Sequence, residues 1–231
     1  MTEILKYLIK FKLLSLDQLI LLIASFEIDV VKDLAYLLEQ KLAQELIYKE
    51  EKYYAFTKTG VNTIYRLTKQ RPRLISQKLL PIYLPHRLGV NKIIIEFILE
   101  LRSQKIIIYD YQLEEDCYIK FNYQARKLNL TPDAQLIFLA DNKKIHLLLE
   151  FDRGTMSANQ LRLKVQKYEK YFKSYQYKEV SPYLPLVNFI LIGNDNRRLM
   201  LTSLIRKIFQ DDKLRSTFII DLDIKELLAI I

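Results

Sequence analysis

The sequence predicts a mixed α/β protein of two domains, and three observations predict it. Its 231 residues exceed the usual span of one domain, which is roughly 100–200 residues. The hydrophobic pattern changes along the chain, from helical spacing in the first third to β-rich runs alternating with helical stretches in the rest. A hydrophobic share of 50% with only four glycines and six prolines supplies packed cores and excludes a low-complexity or linker-rich chain. The longest apolar runs, such as LILLIA at 19–24, fall far short of the roughly 18 residues that span a bilayer, so no membrane partner is expected. The single cysteine, Cys117, leaves no internal disulfide and no cysteine zinc cluster. Lys6, Lys10 and Lys12 lie in an amphipathic pattern without a secretory cleavage site, and a reducing cytoplasm is the expected home.

The first domain is expected over residues 1–70. Ile4, Leu5, Leu8, Ile9 and Leu13 follow the spacing of an amphipathic helix. Ser15 followed by Gln18 forms a capping box that opens a second helix through Ala24. Asp29 caps a third, with Val30, Leu34, Leu37, Leu38 and Leu42 inward. IYKEEKYYAFT then reads as two strands about a turn at Glu50-Glu51-Lys52, and Val61 opens a further helix. Three helices followed by a hairpin make a winged helix-turn-helix, a module that places a helix in the DNA major groove and its wing along the backbone.

The net charge of +9 suggests a polyanionic partner when it is concentrated, and here it is concentrated. Between 52 and 92 stand Lys52, Lys58, Arg66, Lys69, Arg71, Arg73, Lys78, Arg87 and Lys92, with no carboxylate until Glu96. The third helix instead carries Asp29, Asp33 and Glu39 against Lys32 and Lys41, which suits phosphate poorly. DNA contact is therefore expected at the wing, the following helix and a basic linker at 71–88, through Lys52, Lys58, Arg66, Lys69, Arg71, Arg73 and Arg87. The acidic third helix also suggests a homodimer.

The second domain is expected over 89–231. Pro72, Pro81 and Pro85 interrupt regular structure in the linker, and a helix runs from about Asn91 to Gln104. IIIYDYQL, DAQLIFLA and IHLLLEFD read as strands, the last two joined at Asp141-Asn142-Lys143-Lys144. A helix at 158–174, the strand VNFILIGN, a helix from 197 to 209, the strand STFIIDL and a short terminal helix complete an αβββαβαβα order. A central mixed sheet with helices on both faces packs such a string economically.

On a strand, residues two apart share a face, so Glu150 and Asp152 project together, and Asp133 begins the neighbouring hairpin strand. Crowded carboxylates require protons, cations or a divalent metal, and an all-oxygen set suits Mg²⁺ or Mn²⁺. Such an ion, held by Asp133, Glu150 and Asp152, could activate water against a phosphodiester.

Here the residues carry a resemblance. TPDA, a hairpin and then EFD, within an αβββαβ core, resemble the PD-(D/E)xK nuclease superfamily, which has a restriction-endonuclease-like α/β fold; Glu96 sits where many members carry an acid. YYAFTKTG, HRLGVN, TPDA, EFDRGT and KVQKY, in that order, are similar to the replication-relaxation family of plasmid and mobile-element proteins. The resemblance covers nearly the whole chain and implies DNA binding in replication, mobilisation or its regulation. It implies no defined reaction. Asp152 stands where the superfamily has its lysine, and Lys164 on the next helix is the candidate replacement. An active Mg-dependent endonuclease or nickase using Asp133, Glu150, Asp152 and Lys164 therefore competes with a silent nuclease fold, in which Glu150 or Asp152 pairs with Arg153 or Lys164. A third reading is a winged-helix regulator or adaptor that binds a protein of the mobile element.

Other candidates carry less. His86 and His146 read as structural, and with no histidine triad beside any of the sixteen tyrosines, tyrosine transesterification is not expected. No GxxxxGK loop is present to cradle a nucleotide. The helix bearing Arg162, Lys164, Lys167, Lys170 and Lys173 could line a DNA groove or simply face solvent, and the tyrosines of KYEKYFKSYQYK fit core packing better than base stacking.

Overall fold

In a computed structural model of the chain, which describes residues 3–24, 26–69, 74, 80–192 and 195–230, the local helix signals act close to where the sequence puts them. Ser15 Oγ accepts from the Gln18 amide at 3.2 Å while Gln18 Oε1 accepts from the Ser15 amide at 3.0 Å, closing the capping box of α2 (Leu16–Ile23). Asp29 accepts from the Lys32 amide at 3.0 Å and opens α3 (Val30–Glu39). Each cap satisfies an otherwise orphaned donor and is worth about 1 kcal/mol. With α1 (Glu3–Phe11) these helices bury Ile4, Leu8, Phe11, Leu19, Leu22, Leu34 and Leu37.

The expected hairpin follows as β2 (Ala43–Tyr48) and β3 (Glu51–Phe56), paired antiparallel. Its turn is Lys49-Glu50, both at positive φ, one residue earlier than expected, so Glu51 and Lys52 lie in the strand. A two-residue loop with both residues left-handed matches the twist of the strands it joins. A short β1 (Leu14–Ser15), which the sequence pattern does not show, pairs with β3 and gives the order β1-β3-β2.

YYAFTKTG is a joint. Thr57 caps α4 (Lys58–Thr68) by accepting from the Gly60 amide at 3.1 Å, and its hydroxyl donates to the Lys41 carbonyl at 2.5 Å. A Cβ on Gly60 would stand 2.3 Å from the Leu42 carbonyl oxygen, so only glycine fits.

The described chain forms two units, Met1–Ile95 and Glu96–Ile231. Arg71, Pro72, Arg73 and Lys78 lie outside the described residues. From Leu80 the chain is helical: α5 spans Leu80–Ser103, eleven residues earlier than Asn91, and passes through Pro85. Pro81 sits in the first turn, where its missing N–H would find no helical partner anyway. Pro85 removes a bond and crowds the preceding turn, at about 3 kcal/mol. Burial of Leu84, Val90, Ile94, Phe97, Ile98 and Leu101 along the same helix outweighs that cost. The buried Asn91 of HRLGVN donates to the carbonyls of Leu13 at 2.7 Å and Phe11 at 3.3 Å, fixing α5 to the end of α1.

The second unit is built on a five-stranded mixed sheet in the order β10-β9-β8-β7-β4. Strands β4 (Ile107–Leu113), β7 (Ala134–Ala140) and β8 (Lys143–Asp152) form an antiparallel meander, with Asp141-Asn142 as a two-residue left-handed turn. After α6 (Ala158–Ser174), β9 (Leu186–Leu191) pairs parallel to β8; after α7 (Asp195–Ile208) and the short α8 (Asp212–Arg215), β10 (Phe218–Ile220) pairs parallel to β9, and α9 (Ile224–Leu228) follows. Two crossovers moving the same way along the sheet place both helices on one face when each has the usual hand. There Leu161, Val165, Tyr168, Phe172, Leu201 and Ile205 share one core with Val187 and Phe189. Between β4 and β7 the chain inserts an unexpected hairpin, β5 (Ile119–Tyr123) and β6 (Arg126–Leu130), a separate two-stranded sheet packed on α6.

His146 in β8 is 2% exposed and its Nε2 meets Gln135 Oε1 at 3.1 Å. Burial, with Lys144 nearby, pushes its pKa down to about 4. The unfolded chain then binds the proton more tightly, so stability is full above about pH 6.5 and falls as pH drops toward 4. Denaturant titrations should show His146→Gln losing about 3 kcal/mol less than the wild type between pH 7 and pH 4. Gly60→Ala should lower stability by about 2 kcal/mol or more through its clash with Leu42, read from the urea midpoint at unchanged slope.

Candidate functional site

The meander fixes three carboxylates at one end of the sheet. Asp133 closes the bend before β7: its amide donates to the Leu149 carbonyl, and its Oδ2 accepts from the Phe151 amide at 2.7 Å. Glu150 and Asp152 alternate along β8, 0% and 1% exposed. Helix α6 is opened by a Ser157–Gln160 capping box and passes over this end of β8.

Lys164, from the first half of α6, forms an ion pair with Glu150 Oε2 and stands 3.8 Å from Asp133 Oδ2. One turn later, the buried Tyr168 hydroxyl donates to Glu150 Oε1 at 2.5 Å. Both oxygens of Glu150 thus face proton donors within the protein. Burial pushes the Glu150 carboxyl up, with Lys164 opposing and Asp133 reinforcing the shift. Burial alone would lower Lys164, but Glu150 and Asp133 outweigh it and hold the ammonium above its ordinary value. Burial and the neighbouring Glu150 raise Tyr168 well above an ordinary phenol. The Tyr168 ring sits edge-on to Phe189 and Phe218, at 6.2 and 5.9 Å, which fixes the hydroxyl.

Asp152 is engaged separately. Its Oδ2 pairs with Arg197 of α7, and its Oδ1 accepts from the Gly154 amide at 2.9 Å. Arg197 also donates to the Met156 carbonyl at 2.7 Å. Gly154 has φ +79°, a left-handed turn that lets EFDRGT fold back on its own carboxylate. Among the described residues, the donors on Glu150 and Asp152 are Lys164, Tyr168, Arg197 and the Gly154 amide, where the sequence offered Arg153 or Lys164.

The structure therefore brings Asp133, Glu150 and Lys164 together and ties Asp152 to Arg197. Among the described residues, no group of three acidic, histidine or cysteine side chains is placed to hold a metal ion. The donors already on Glu150 and Asp152 do not fit a divalent cation between these carboxylates in this arrangement. Tyr168 and Arg197 were not legible as site residues. Tyr168 lies one turn beyond Lys164 within the apolar stripe, a signal that was present, whereas Arg197 meets Asp152 only because β8 and β9 run parallel.

The basic residues of the first unit divide. Lys58, Arg66 and Lys69 are exposed with Asn62 and Tyr65 on one face of α4 and its C-cap, opposite the buried Val61 and Ile64. Lys52 is exposed on β3 but pairs with Glu45 Oε1 of β2 at 3.2 Å. Arg87 is half-buried in α5, and Arg71 and Arg73 lie outside the described residues. On α3 the exposed surface includes Val31 and Tyr36 beside Glu39. No described helix is long and apolar enough to cross a membrane.

The second unit, with its αβββαβ order and mixed sheet, has the restriction-endonuclease-like architecture. The Replication-relaxation family matches residues 5–187, and the chain belongs to that family. Among solved structures, the restriction endonuclease FokI is similar at 14% identity and a TM-score of 0.27, and FokI bound to DNA at 14% and 0.26. Both matches cover 98% of this chain but 42% of FokI, so the chain spans less than half the length of that enzyme. No match was found among curated proteins.

Lys164→Met should strand the buried Glu150 carboxylate and lower stability by about 3 kcal/mol, and adding Glu150→Gln should restore most of that loss. Urea denaturation of both variants at neutral pH checks the pair; equal losses in the two would mean that it contributes little.

Proposed function

We propose that this chain is a DNA-binding protein acting in the replication or mobilisation of a mobile element, and that it grips duplex phosphates with the exposed face of α4 beside the β2–β3 wing. The observation that carries this reading is the exposed face bearing Lys58, Arg66 and Lys69, on a helix and C-cap without a single carboxylate. Family membership supports it. Phosphate contacts of this kind position a protein on DNA without reading its sequence. The acidic and apolar outer surface of α3 makes that helix a poor partner for a phosphate groove.

In this reading the Asp133–Glu150–Lys164 cluster is an internal tie, with Lys164 between the two carboxylates and the Tyr168 hydroxyl on Glu150. The nuclease reading keeps one specific support: Lys164 reaches Glu150 and stands near Asp133, the two carboxylates that a migrated lysine would serve.

One experiment addresses both. Mobility shifts on duplex DNA, run across a salt series, should show Lys58→Ala/Arg66→Ala/Lys69→Ala binding roughly tenfold or more weakly, with the log–log salt slope reduced by about 2–3. Unchanged affinity would overturn the placement on α4. Incubating supercoiled plasmid with the wild type and either Mg²⁺ or Mn²⁺ should leave it intact. Nicking that Asp133→Ala and Lys164→Met both abolish, with binding retained, would establish the nuclease reading instead.

A further inference from the structure

Away from the acidic cluster, the second unit carries a cleft of about 640 Å³ where the β5–β6 hairpin lies against α6. Four lysines line it, Lys120 and Lys127 from the two strands and Lys167 and Lys170 from the helix, together with Tyr118. No carboxylate lines the cleft, and none of the four lysines is ion-paired among the described residues. Four ammonium groups around one concavity with no carboxylate in its lining repel one another, and an anionic ligand relieves that repulsion.

The hairpin sorts its residues by alternation. Ile119, Phe121 and Leu128 pack toward the α6 core, whereas Tyr118, Lys120, Asn122, Lys127 and Asn129 are exposed. In register, Lys120 faces Asn129 and Asn122 faces Lys127, so cation and amide alternate across the two strands. Tyr118 is 48% exposed, and its ring is fixed from two sides: Asn129 donates to its hydroxyl at 2.7 Å, and the Lys120 ammonium lies 5.7 Å from the ring centre. A held, half-exposed aromatic face among lysines and amides offers a stacking platform with phosphate contacts and hydrogen-bonding groups alongside.

We propose that this cleft binds an unpaired DNA strand, with the four lysines on its phosphates and a base stacked on Tyr118. The concavity favours a single strand over a duplex, because a base reaches the Tyr118 ring only when it is free of its own stack. The assignment rests on the DNA-binding reading of the chain but uses residues remote in sequence from α4, so the two fail separately. A protein that holds duplex through one unit and an unpaired strand through the other would engage a site where the helix has been opened.

Fluorescence anisotropy of a labelled short oligothymidine with the full chain tests it. Two independent pairs, Lys120→Glu/Lys127→Glu on the hairpin and Lys167→Glu/Lys170→Glu on α6, should each weaken binding at least tenfold. Replacing all four lysines by alanine should lower the salt slope by about 2–3. Tyr118→Ala should cost roughly tenfold, and Tyr118→Phe should keep most of the affinity. Duplex binding should change little in each variant, while the α4 triple variant should lose duplex and keep oligothymidine. Thermal melts of each variant verify folding, and since the two pairs sit on different elements, either one alone carries the test. Absence of oligothymidine binding by the wild type, or unchanged binding in a folded pair, would overturn the proposal. Equal loss of duplex and oligothymidine would make the cleft a general phosphate surface and overturn the assignment to an unpaired strand. Loss of duplex binding only in the α4 variant, with no oligothymidine binding at all, would leave the proposed function standing without this site.

Discussion

The ion pair between Lys164 and the fully buried Glu150 organises the second unit. A carboxylate at the centre of a sheet is tolerable only with a cation and a hydroxyl on its two oxygens, and both come from one face of α6. That requirement sets the rotation of α6 about its axis, which in turn aims Tyr168 into the aromatic core and leaves Lys167 and Lys170 on the outer side. Asp133 joins the same end of the sheet through its amide, which donates to the Leu149 carbonyl, and its Oδ2, which accepts from the Phe151 amide. The Asp152–Arg197 pair does for α7 what Glu150–Lys164 does for α6. Two charged ties thus seat two crossover helices on one face of the sheet.

The five short segments that carry the family resemblance fall at joints of this kind. Gly60 admits the Leu42 carbonyl, Asn91 binds the end of α1, Asp133 closes the meander, Gly154 turns the chain back onto Asp152, and Lys164 with Tyr168 neutralises Glu150. Each position has a geometric reason to be the residue it is. The basic surfaces use the outward-facing positions of α4, the β5–β6 hairpin and α6, among them Lys58 and Lys167 within two of these same segments. Architecture and the proposed binding are therefore carried by different side chains, inward-facing for the one and outward-facing for the other.

Much of the local structure was legible because its signals are local. The Ser15–Gln18 box, the Asp29 cap and the bounds of α6 need only neighbours within one or two turns. The convergence of Asp133 with Glu150 needed one hairpin, and strand alternation supplied it. Arg197 was beyond reach because its meeting with Asp152, 45 residues away, follows from the parallel pairing of two strands that sequence periodicity does not report. The β5–β6 hairpin was missed because its tip is Gln124-Ala125, both left-handed, where a turn signal would be glycine or asparagine. The long α5 was missed because proline is read as a breaker, and its packed apolar residues overrode that reading.

The hairpin tips have a kinetic consequence. Lys49-Glu50 and Gln124-Ala125 hold positive φ without a glycine in either pair, and each such residue resists the left-handed region by about 1 kcal/mol. Turns of this composition do not nucleate their own hairpins. The strands must be held together by their packed faces, Tyr53 and Ala55 in one case and Phe121 and Leu130 in the other, before the tips can close. The helices, whose bonds are all local, provide the surface on which these two hairpins pack, so each of the two is expected to close later than the helix it packs on.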